Sequence, residues 1–146
     1  MINLFNKQRT LYQEKMVAKV ASYDYRYVRY HINYSVALVY VSEKANLSDI
    51  ASYLRKSDEY VKLNGHLYAL FLDCTDDEKG IKTSNKILLT IQAQFFSMHL
   101  YMAVVTASNY TDSFQMVHDL FDLIEYGINH NMNNILIDAS RPVIYD

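Results

Sequence analysis

Apolar positions along the chain fall into runs whose period changes from helical to extended and back. From Gln8 to about His31 they recur at Tyr12, Met16, Val20, Tyr23, Tyr27 and Tyr30, spacings of 4, 4, 3, 4 and 3. Such spacing lines one stripe of a helix and leaves the other face charged. The stripe can pack on the body of the same chain or pair with a second copy as a short coiled coil. Cis packing is favoured, because Tyr is a poor coiled-coil knob and its amphipathic ring suits a half-wet contact. The run Ser35 to Val41, Ser-Val-Ala-Leu-Val-Tyr-Val, is almost continuously apolar and rich in β-branched residues. That composition predicts a central strand covered on both faces.

A short helix follows, with Leu47, Ile50, Ala51 and Leu54 as its apolar positions and Asn46 or Ser48 as its cap. Residues 60–72 then read as two strands joined through Asn64-Gly65. Asn-Gly accepts the positive φ angles of a type I′ turn, so a tight hairpin is predicted there. Thr75 and Glu78 have capping-box spacing, while Gly80 argues for a helix from about Lys82 to Phe95. A strand is predicted over Leu100–Thr106, and then a helix from Asp112 or Ser113 buried through Phe114, Val117, Leu120, Phe121, Ile124 and Ile128. Ile135 to Ile137 closes the pattern as a last strand.

After the first helix the order is β-α-β-β-α-β-α-β. Its first six elements form the split βαβ pattern of a ferredoxin-like βαββαβ core, an antiparallel sheet with helices on one face, to which a C-terminal αβ unit is added. The expected class is α+β, an α/β sandwich preceded by an N-terminal helix. Residues 1–34 are assigned to that helix and its packing or dimerisation, and residues 35–146 to the domain proper. A chain of 146 residues is enough for one such core.

Composition narrows the chemistry. The formal charge of −2 offers no clustered cations for DNA, RNA or an anionic membrane. Cys74, the single cysteine, forms no internal disulfide and reads as a half-buried thiol at a strand end. The N-terminus carries no apolar core of signal-peptide type, and no run approaches the roughly 20 apolar residues that span a bilayer, so a cytoplasmic location is expected. The histidines His31, His66, His99, His118 and His130 lack ligand spacing, and the glycines Gly65, Gly80 and Gly127 are isolated, which excludes a Gly-rich phosphate loop. No metal, cofactor or nucleophilic site is assigned. The cluster Tyr23, Tyr25, Tyr27, Tyr30 and Tyr34 is either an interface for a partner or cover for the sheet.

The hairpin region carries a more specific signal. Arg55-Lys56-Ser57-Asp58 is followed by five residues and then by Asn64-Gly65-His66-Leu67-Tyr68. This register, with the order of the elements, resembles the GGDEF domain of diguanylate cyclases, whose hairpin reads Arg-x-x-Asp, five residues, Gly-Gly-Asp-Glu-Phe. Near the C-terminus Asp122, Tyr126 and Asn134 also fall at the family's spacings, although Asn129 stands at its lysine position. The resemblance spans roughly Ser35 to Ile137.

In that family an Asp at the end of the first strand and acidic residues in the hairpin hold the divalent metal that joins two GTP molecules. The aligned residues here are Tyr40, His66 and Leu67. None supplies the carboxylate oxygens that Mg²⁺ requires. Only 14 residues separate Tyr40 from Arg55, too few for the family's guanine-gripping helix as well as the short helix read above. The resemblance therefore implies a degenerate, catalytically inactive module of bacterial signalling, with a protein partner or a homodimer as its contact. Arg55 and Asp58 survive. In the family this pair binds the product, cyclic di-GMP, and an Arg fork does match guanine O6 and N7 or phosphate oxygens. The alternative for the pair is a plain salt bridge at a helix terminus. His66 is a hairpin side chain packed on a neighbour or a group that titrates near neutral pH.

Overall fold

A computed structural model describes residues 2–95 and 97–139, with side chains from Gln8 onward. The elements run α1 (Ile2–Tyr30), β1 (Tyr34–Val41), a 3₁₀ helix (Ser48–Tyr53), β2 (Glu59–Lys62), β3 (Leu67–Asp73), α2 (Asp77–Gln94), β4 (Leu100–Thr106), α3 (Ser113–Asn129) and β5 (Leu136–Asp138), with a 3₁₀ turn at Ala107–Asn109. The five strands form one sheet in the order β2-β3-β1-β4-β5. β1 is antiparallel to β3 and β4, β2 is antiparallel to β3, and β5 runs parallel to β4. This is the ferredoxin-like core with its added αβ unit.

All eight residues of β1 are buried, and alternation sends its side chains to two separate cores. Val36, Leu38 and Tyr40 join Leu67, Ala69, Phe71, Tyr101, Ala103 and Val105 under α1 and α3. Ala37, Val39 and Val41 join Tyr68, Leu70, Leu100, Met102 and Val104 under α2 and the 3₁₀ helix. The helices of the ferredoxin-like core thus share one face as expected, and the two additional helices cover the other.

α1 packs in cis. Tyr12, Met16, Val20 and Tyr23 are buried and Tyr27 is partly buried, whereas Tyr30 is 57% exposed, so the stripe leaves the body at its last turn. Tyr34 joins Tyr23 in the core, and Tyr25 stays in solvent, so the tyrosine cluster divides between cover and surface. Arg9 anchors the start of α1: its guanidinium donates to Asp122 at 2.8 Å and to Glu125 at 2.7 Å on α3.

Four local expectations are corrected. α2 starts a turn before Lys82, capped by Asp76, whose side chain accepts from the Lys79 N–H at 2.8 Å. Thr75 turns inward instead, its hydroxyl 2.9 Å from Ser35 Oγ, and Ser35 Oγ is 2.8 Å from Thr106 Oγ1. Gly80 packs on this hydroxyl cluster and continues the helix rather than breaking it. The second correction is Phe114, which is 62% exposed, while Met116 takes the buried place in α3. Third, Ile135 precedes β5 and is 45% exposed. Cys74, the fourth, is exposed just past β3 with φ of 52°. The element after β1 is a 3₁₀ helix in which Leu47 and Ile50 are buried, Leu54 half-buried and Ala51 exposed. Its N-cap is Leu47, with no side-chain capping bond, rather than Asn46 or Ser48; Asn46, one residue earlier, accepts from the Ser48 N–H at 3.0 Å.

A Cβ at Gly80 would press on Ser35 Oγ and lie 2.9 Å from Ser35 Cβ. Gly80→Ala should therefore destabilise the fold by ~1–3 kcal/mol, although Ala is the better helix former. Urea denaturation of the variant checks this, and a gain in stability would contradict the close approach.

Candidate functional site

The Arg55-to-Tyr68 segment is organised by two side chains that accept several backbone N–H groups. Asp58, just before β2, has a side chain only 2% exposed. Its Oδ2 accepts from the Arg55 N–H at 2.9 Å and from Arg55 Nε at 3.2 Å. Its Oδ1 accepts from Arg55 Nη2 at 3.2 Å and from the Asp73 N–H at 2.8 Å. Arg55 Nη2 also donates to the Asp73 carbonyl. The carboxylate therefore ties the loop before β2 to the end of β3, and its four donors offset the cost of burying a charge. Hydrogen bonding to Asp58 holds the Arg55 pKa above its ordinary value. The Arg55 side chain remains 54% exposed.

The hairpin is the predicted one, but its turn is not type I′, since neither Asn64 nor Gly65 has positive φ. Asn64 Oδ1 accepts from the N–H groups of His66 (2.7 Å) and Leu67 (2.9 Å), an Asx arrangement that closes the loop without left-handed backbone. Its Nδ2 donates to the Tyr12 hydroxyl at 2.6 Å, which fastens α1 to the hairpin. Lys44 packs against Gly65.

The three positions aligned with metal ligands are filled by packing. Tyr40 is 4% exposed, Leu67 is fully buried, and the two face each other across the β1–β3 ladder. Burial pushes the Tyr40 hydroxyl pKa up. Its ring stacks on His66, centroids 5.8 Å apart, and lies 6.3 Å from the Tyr101 ring. His66 Nδ1 sits 2.9 Å from the Val41 carbonyl oxygen, so in this geometry it is the protonated nitrogen. Tyr68 points to the opposite core, where its hydroxyl donates to the Ala45 carbonyl at 2.9 Å and accepts from the Leu47 N–H at 3.2 Å.

These are arrangements of aromatic rings and saturated polar groups. Among the described residues, His118, Asp119 and Asp122 on α3 bring metal-ligating atoms together, within 4.8 Å of one another. Asp122 there is already paired with Arg9, and His118 Nδ1 is 3.4 Å from its other oxygen. The Arg9 anchors carried no signal in the sequence because they join residues more than 110 positions apart, whereas His118 and Asp122 stand at helical i,i+4 spacing that could have marked the cluster. Cavities also lie elsewhere: one of about 460 Å³ between α2 and the approach to β5, one of about 410 Å³ beside Asp77, Asn109 and Asp119, and one of about 320 Å³ beside Tyr110 and Tyr126.

No protein-family model matches the chain, and no curated protein matches its sequence. Solved structures do. The GGDEF domain of YfiN (TpbB) from Pseudomonas aeruginosa superposes with a TM-score of 0.67 at 12% identity, covering 89% of this chain and 94% of that one. The fold is that of a GGDEF domain. The GGDEF domain of DgcB from Caulobacter crescentus, solved in complex with c-di-GMP, gives 0.67 at 9% identity over 88% of this chain and 90% of that one. The diguanylate cyclase SiaD from Pseudomonas aeruginosa, solved with its activator SiaC, gives 0.64 at 11% identity over 86% of this chain and 57% of that one. On this GGDEF fold the Arg55–Asp58 clasp and the Asn64–His66 turn lie at opposite ends of the β2–β3 ribbon, the clasp beside Asp73 and the turn beside Leu67. No helix is long and apolar enough to cross a membrane among the described residues.

Asp58→Ala should cost about 2–3 kcal/mol, because it strands the buried Asp73 N–H and removes two charge-assisted bonds from Arg55. Denaturant titration reads this directly, and a loss under about 0.5 kcal/mol would contradict the clasp. Nearby Glu59 has its pKa held below the ordinary 4.5, first by the hydrogen bond from Tyr23. A depressed carboxylate contributes stability that is present above its unfolded pKa and lost as pH falls through its folded one. The stability gap between the native chain and Glu59→Gln should accordingly shrink below about pH 4.5, whereas a gap that widens on acidification would contradict the assignment.

Proposed function

We propose that the chain is a catalytically inactive module on a GGDEF fold, used in bacterial signalling for regulation or protein interaction. The observation that carries this reading is the trio Tyr40, His66 and Leu67. A divalent ion needs two or more hard oxygen ligands converging on one point. Here the aligned positions present a buried leucine, a phenol with its ring stacked, and an imidazole turned to a backbone carbonyl. The short 3₁₀ helix between β1 and Arg55 supports the same reading, since it leaves little chain with which to build a nucleotide-gripping helix. A protein partner is in keeping with the fold, as SiaD was solved in complex with its activator SiaC.

A second reading, a cyclic di-GMP receptor acting through Arg55 and Asp58, is favoured by the half-exposed Arg55 guanidinium. The neighbour DgcB was solved with that ligand bound. Against it stands the Asp58 carboxylate, whose two oxygens each already accept two N–H groups. A ligand would have to break the clasp or be content with the outer edge of Arg55.

Incubation of the protein with GTP and either Mg²⁺ or Mn²⁺ should yield no cyclic di-GMP above a protein-free blank by liquid chromatography, and steady accumulation would overturn the inactive reading. Titration calorimetry with cyclic di-GMP separates the two readings. Binding abolished by Arg55→Ala would establish the receptor, and absence of heat at tens of micromolar ligand would remove it.

A further inference from the structure

The two turns of α1 from Lys19 to Arg26 are fastened to the two chain segments that the Asp58 clasp joins. Arg26 Nη1 donates to Asp73 Oδ2 at 2.8 Å, while the same Asp73 gives its N–H to Asp58 and receives Arg55 Nη2 on its carbonyl. One residue after Asp58, Glu59 accepts from the Tyr23 hydroxyl at 2.7 Å and from Lys19 Nζ at 3.1 Å. Arg26 also lies over the Tyr23 ring, 5.1 Å from its centroid, and that ring stacks on Phe71 at 5.7 Å. Lys19, Tyr23 and Arg26, at spacings of four and three, share one face of the helix. Every link is a direct contact, so the path from the Arg55 guanidinium to α1 is unbroken.

We propose that this corner is a coupling device, in which the state of the Arg55 fork sets how firmly the second half of α1 is docked. Withdrawal of the guanidinium takes two of four donors from a carboxylate whose side chain is 2% exposed. The deficit is large in so dry a position, and the 55–59 loop must shift to bring in water or another donor. Glu59 moves with that loop, and Asp73 loses both its carbonyl partner and the fixed carboxylate that holds its N–H. Lys19, Tyr23 and Arg26 then lose their fixed acceptors. The first half of α1 has separate anchors in Arg9 on α3 and Tyr12 on Asn64, so it stays in place. What operates the device is any group that draws away the half-exposed guanidinium, an anion above all. The inference is independent of whether the chain is a cyclase or a receptor.

Spatial continuity alone does not demonstrate coupling, and a double-mutant comparison does. Hydrogen–deuterium exchange of the full chain by mass spectrometry reads each half of α1 separately. Arg55→Ala should speed exchange across residues 19–30 by ~10-fold and change residues 8–16 by less than ~2-fold. In an Arg26→Ala background the same substitution should add less than ~2-fold over residues 19–30. Arg55→Lys keeps the charge without the planar fork and should reproduce the pattern more weakly, which covers the case that the alanine variant fails to fold. Faster exchange confined to residues 55–62, or spread uniformly over α1, would overturn the proposal, as would full additivity with Arg26→Ala.

Discussion

A strand of eight residues with no exposed face is the constraint on which this structure depends. β1 lies third of five in the sheet, and its side chains alternate between two cores. Neither face can be left wet. The helices of the ferredoxin-like core cover only one side, so the second side falls to α1 and α3. The N-terminal helix is therefore part of the body: Met16 is 1% exposed and Val20 fully buried. A helix so committed has its tyrosine stripe spent in cis.

The same constraint shapes the candidate site. Tyr40 belongs to the core that α1 covers, beside Leu67 and Tyr101. Placing a carboxylate there would bury a charge without a metal or donors to offset it. The tyrosine and leucine are in physical agreement with their surroundings, and the hairpin is closed by Asn64 accepting from two backbone N–H groups. Polar chemistry persists a few residues earlier, where Asp58 is buried but fully supplied with donors. The retained Arg-x-x-Asp is thus built into the fold whatever else it contacts.

Much of this was legible in the sequence because it is periodic. The β-branched run Ser35 to Val41 announced a doubly covered strand, the stripe from Tyr12 to Tyr27 announced the packed face of α1, and Asn-Gly marked the hairpin. Local rules failed where distant residues decide the outcome. Gly80 reads as a helix breaker until Ser35 and Thr106 are seen beneath it. The turn at Asn64 takes its shape from a side-chain oxygen rather than from left-handed backbone. Phe114 and Tyr30 fit their helical patterns but lie past the edge of the surfaces those patterns cover. The site was half legible: the spacing of Arg55, Asp58 and the hairpin located it, while Asp73, Arg26 and Glu59 carried no local signal because each acts across 15 or more residues of chain.

Under the function proposed above, packing stands at the hairpin where a cyclase would hold metal and nucleotide. A crystal structure grown with a non-hydrolysable GTP analogue and Mg²⁺ tests it most directly. The hairpin should be unoccupied, with the Tyr40–His66 stack and the Asn64 turn unchanged. A triphosphate seated against the hairpin with an ion held near Tyr40, His66 and Leu67 would contradict it.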